Sequence, residues 1–138
     1  MLSQVHQHIT SELNQSARTD TVFLVTAVVF NLVVLGINSG VASSGEEASS
    51  LQNDLVLGTL IVLALLVNAL SIVALLVGRR TRAKLLQGLL AMYKDNEVDK
   101  YYDASLLGNY NTRYSLFTGV LLCLAATAIV VPLIIRIL

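Results

Sequence analysis

Apolar and polar positions along the chain separate into three long runs that contain no Lys, Arg, Asp, Glu or His: Thr21 to Ile37, Leu55 to Val77 and Leu116 to Ile135. A helix rises about 1.5 Å per residue and the hydrocarbon core of a bilayer is about 30 Å thick, so roughly twenty apolar residues cross it. The first run lies at the short end of that range, and the other two fill it. Elsewhere the pattern turns amphipathic. Leu2, Val5, Ile9 and Leu13 recur at spacings of three and four, which draws an apolar stripe down one side of an N-terminal helix. With only Arg18 to recruit anionic lipid, this helix reads as packing onto protein ahead of lying on the membrane surface.

After the second run, Leu85, Leu86, Leu89, Leu90 and Tyr93 continue at helical spacing with no proline. One helix from about Leu55 to Lys94, roughly 60 Å long, is expected. Asp95-Asn96 reads as a break. Val98, Tyr101, Tyr102, Leu106, Leu107 and Tyr110 then mark a second amphipathic helix, with Gly108 and Asn109 to stop it and Asn111 or Thr112 to cap the third span. The stretch between the first two runs is rich in Ser and Gly and reads as a connector. The expectation is an all-α integral membrane protein with three transmembrane helices, an N-terminal amphipathic helix, and a cytoplasmic helical hairpin between spans 2 and 3. Its parts form one membrane domain: helix 1–19, span 20–38, external loop 39–54, span 55–78, hairpin 79–114 and span 115–136.

Composition points the same way, with 55% hydrophobic and 13% charged residues and a mean hydropathy of +0.72. A soluble fold is excluded because three helices apolar all round would leave too little chain to cover them. A net charge of zero gives no reason to expect nucleic acid. Charge placement is more telling. Seven of the nine basic residues lie between Arg79 and Tyr114, four of them in the cluster Arg79, Arg80, Arg82 and Lys84, whereas Asn38 to Asp54 has none. Basic residues beside span ends mark the cytoplasmic side, so a multi-pass protein of the cell membrane is expected, with its N-terminus cytoplasmic and its C-terminus external. Arg136, at the outer end of the third span, counts the other way, and Arg18 beside the first is offset by Asp20; the inner loop outvotes both. Gly40-Val41-Ala42 resembles a signal cleavage site, but the preceding charges are not positive and the apolar run is too long, so an uncleaved first span is expected.

Candidate chemistry is sparse. Cys123 is the single cysteine and cannot form an internal disulfide; His6 and His8, two residues apart, project to different faces of a helix and read as solvated. No metal site, cofactor or phosphate loop is indicated, and the acidic stretch Asp95 to Asp103 is interleaved with lysines, so an enzyme is not expected. Tyr93, Tyr101, Tyr102 and Tyr110 read first as packing of the hairpin and second as a partner surface. The cluster Arg79 to Lys84 is topogenic and able to meet lipid headgroups.

Within the runs, Asn31 is ten residues beyond Thr21 and Asn68 ten before Gly78, so both sit near mid-membrane. Asn31 shares a face with Ala27 and Asn38, Asn68 with Ala64 and Ser71, and Cys123 with Gly119 and Ala126, with Thr127 alongside. Small and polar stripes allow close helix contact and hydrogen bonding across it. The expected role is a self-associating protein or an accessory subunit of a membrane complex. The second reading is a homo-oligomeric pore lined by asparagine. The layout of two close spans followed by a basic amphipathic helix resembles the small membrane effectors of bacterial defence operons, with no motif behind the likeness.

Overall fold

A computed structural model of the chain describes residues 1–44, 50–98, 100 and 105–138. They form three α-helices: α1, Leu2–Ser43; α2, Ser50–Asp95; and α3, Ser105–Ile137. Each packs against both others, α1 and α3 parallel and α2 antiparallel between them in the chain. All three are long and apolar enough to cross a membrane. At 42 and 46 residues, α1 and α2 are about 63 and 69 Å long, twice the thickness of a hydrocarbon core. They therefore overrun the apolar runs at the end bearing Arg79 to Lys84, here termed the basic end, and form a stalk there.

The buried positions explain why these helices do not break at the edges of the apolar runs. On α2, Leu57, Ala64, Ser71 and Asn68, Leu75, Arg82, Leu86 and Leu89 are buried, an alternation of three, four and seven residues. On α1, Ala27, Asn31, Val34, Asn38 and Ala42 follow the same rule, and on α3 Tyr114, Leu121, Ala128 and Pro132 do. A seven-residue repeat keeps one seam of a helix facing its partner over many turns, as in a left-handed coiled coil. Counting back from Ala27 by sevens reaches Asp20, Leu13 and His6, all partly buried, so the seam runs through the boundary between the N-terminal segment and the first span. Both are one helix. The apolar stripe expected on that segment is split, because Leu2 and Val5 are exposed.

The helix stop expected at Gly108 and Asn109 does not occur, since α3 runs through both. An interior glycine costs only about 1 kcal/mol, and the side chains expected to cap the third span are used otherwise. Thr112 donates to the Gly108 carbonyl (3.1 Å), and Asn111 accepts from Arg79 Nε (3.0 Å). Tyr101, Tyr102 and Asp103 lie outside the described residues. So do Glu46 and Glu47 of the connector.

At its far end α2 closes with a left-handed turn. Glu97 has φ 58°, Val98 N–H reaches the Tyr93 carbonyl (3.0 Å), and Glu97 N–H reaches that of Lys94 (3.1 Å). These paired bonds satisfy carbonyls that a helix end leaves open, in the arrangement that glycine usually supplies. At the opposite end of the bundle Arg136 pairs with Asp54 at 2.7 Å.

Candidate functional site

Three polar layers cross the bundle. The deepest joins Asn31 of α1 to Asn68 of α2. Each Nδ2 donates to the other Oδ1 at 2.8 Å, and each spends its second N–H on the carbonyl four residues back, Ala27 at 2.9 Å and Ala64 at 2.7 Å. Both asparagines and both alanines are buried. The alanines leave space for the helices to approach, and the amides then satisfy all four of their N–H groups within one chain. Ser71, one turn further along α2, is buried and donates to the Val67 carbonyl at 2.8 Å.

The second layer lies at the basic end of the apolar runs. Tyr114 Oη donates to Asp20 Oδ2, tying α3 to α1. Gly78 of α2 faces the same carboxylate, where a Cβ would fall 2.5 Å from Asp20 Oδ1, so a larger residue there would require the aspartate side chain to shift. Arg82 is nearly buried. Its guanidinium lies over the rings of Tyr110 (4.9 Å) and Tyr114 (5.9 Å), and its Nη2 donates to the Leu13 carbonyl (3.2 Å). Stacking on two aromatic faces holds the charge where a carboxylate partner is absent among the described residues. The third layer is in the stalk, where His6 Nε2 and Tyr93 Oη are 2.9 Å apart. His6 and Asn31 are separated by twenty-five residues, as are Tyr93 and Asn68, so both pairs belong to one antiparallel register extending over about 37 Å.

Not every polar group finds a partner. Asn38 is fully buried, and neither its Nδ2 nor its Oδ1 makes a hydrogen bond to any of the described residues. Arg82 Nε is likewise buried and unpaired.

Of the interhelical or pore-lining candidates, Asn31 and Asn68 meet each other and Ser71 lies on their seam, whereas Cys123 and Thr127 are exposed on the outside of α3. Thr127 donates to the Cys123 carbonyl at 2.8 Å. Among the basic candidates, Arg82 turns into the bundle, Arg79 is half-buried against α3, and Arg80 and Lys84 are exposed. Tyr93 and Tyr110 pack on His6 and Arg82. Asp20, Gly78 and His6 were not singled out by apolar patterning, although the sevenfold spacing from Ala27 reaches two of them. Among the described residues no three His, Cys, Asp or Glu side chains gather as a metal site would need. No protein-family model, curated protein or solved structure matches the chain.

Proposed function

We propose that this chain is a small, non-enzymatic, multi-pass protein of the cell membrane that associates with further copies of itself, or with other membrane subunits as an accessory component. Its N-terminus and stalk are cytoplasmic and its C-terminus external, in keeping with the basic residues at the stalk end. The observation that carries this reading is the outward face of α3, where Cys123, Ala126 and Thr127 stand exposed at membrane depth. Small residues there let another helix approach closely, and a three-helix bundle leaves most of its span surface uncovered. The asparagines are already committed to each other. An oligomer that keeps the bundle intact would thus turn Cys123 and Thr127, rather than Asn31 and Asn68, toward any pore on its axis.

Native mass spectrometry of the detergent-purified protein gives the subunit count. A defined oligomer is expected, broken to monomers by Ala126→Phe with helicity retained. A monomer at every concentration overturns self-association and leaves the accessory role, which copurification of another membrane subunit would support. Ion flux in liposomes that Thr127→Val abolishes would replace both with the pore reading.

A further inference from the structure

At the basic end, α2 and α3 part to leave a cleft on the outside of the bundle, lined by Leu76, Arg79, Ser115, Gly119 and Leu122 above a floor that includes Tyr114. Its polarity is graded. Arg79 and Ser115 stand at the mouth, and Leu122, seven residues or about 10 Å beyond Ser115 on α3, lies toward mid-membrane. Arg79 is held by the bond from its Nε to Asn111, which leaves its terminal N–H groups unspent among the described residues. The Ser115 hydroxyl is exposed and makes no hydrogen bond there. At Gly119 a Cβ would meet nothing within 4 Å, so the cleft is open at that level.

Charge in this region is unbalanced. The ion pair formed among the described residues, Arg136 with Asp54, is at the opposite end of the bundle, and the Asp20 carboxylate is engaged by Tyr114. We propose that this cleft seats one anionic phospholipid, its phosphate on Arg79 and Ser115 and one acyl chain along Leu76, Gly119 and Leu122. A free anion would use the mouth and leave the apolar floor bare. A phospholipid matches both halves in the order the membrane presents them.

The test uses delipidated protein in detergent, titrated with dioleoyl phosphatidylglycerol or dioleoyl phosphatidylcholine, with bound lipid counted by native mass spectrometry and helicity checked for each variant. One phosphatidylglycerol is expected to bind about tenfold more tightly than phosphatidylcholine, a preference that Arg79→Gln removes and Arg80→Gln leaves within about twofold. Gly119→Leu, whose Cβ would meet nothing within 4 Å and whose side chain would occupy the cleft, is expected to weaken both lipids. Equal binding of the two lipids, or equal losses from Arg79→Gln and Arg80→Gln, would overturn the seat in favour of a diffuse basic belt. Displacement of phosphatidylglycerol by inorganic phosphate would overturn it in favour of a free-anion site.

Discussion

Asn31, Asn38 and Asn68 are the same residue type in the same seam, and their surroundings give them opposite energetic signs. Replacing Asn31 alone by Leu strands the amide of Asn68, so a loss of about 1–2 kcal/mol is expected. Replacing both removes donor and acceptor together and should cost less than the two single losses combined. Thermal unfolding of the two single variants and the double variant in detergent checks this, and strict additivity would contradict the pairing. Among the described residues Asn38 has no partner to strand. Asn38→Leu should raise the unfolding midpoint by an amount equivalent to about 1 kcal/mol, and a lowered midpoint would mean that a bond partner exists. The common depth of Asn31 and Asn68 is readable in the sequence from their equal distances to the basic boundary. That Asn38 ends unpaired is not, because it depends on what α2 and α3 place opposite, which no single run of residues records.

At the scale of elements, the apolar runs make the three helices legible and conceal how far they extend. Hydropathy falls where the stalk begins, yet α1 continues because its seam there joins Leu13 to His6 and Asp20, two residues that apolar counting passes over. Glycine and asparagine overstate helix stops for a related reason. Gly108 and Asn109 weaken a helix without ending it when the next turn is held by Tyr110 on Arg82 and Asn111 on Arg79. A true stop occurs at Glu97, whose left-handed backbone costs a side-chain-bearing residue about 1 kcal/mol relative to glycine. Glu97→Gly is therefore expected to stabilise the protein by about that amount, read as a higher unfolding midpoint with unchanged helicity.

For the whole molecule, one register joins the stalk to the apolar bundle, and it can be broken without altering any contact residue. A single Ala inserted after Ser16 turns everything before it by about 100° relative to the rest of α1. His6 should then leave Tyr93 while Asn31 and Asn68 stay paired. A short bismaleimide linker between His6→Cys and Tyr93→Cys, in a Cys123→Ser background, should join the parent and fail with the insertion; linkage in both would show that the stalk is not held in register. The unbroken course of α2 has a mechanical corollary. From Asn68 to its end at Asp95 it extends about 40 Å, so a tilt of about 10° around the mid-membrane pair swings the stalk tip by about 7 Å. Spans tilt when the surrounding lipid is thinner than they are. The angle of the stalk to the membrane normal, read from spin labels on α2 in aligned bilayers, should thus change between short-chain and long-chain lipid, making the protruding end a gauge of the thickness of the membrane around it.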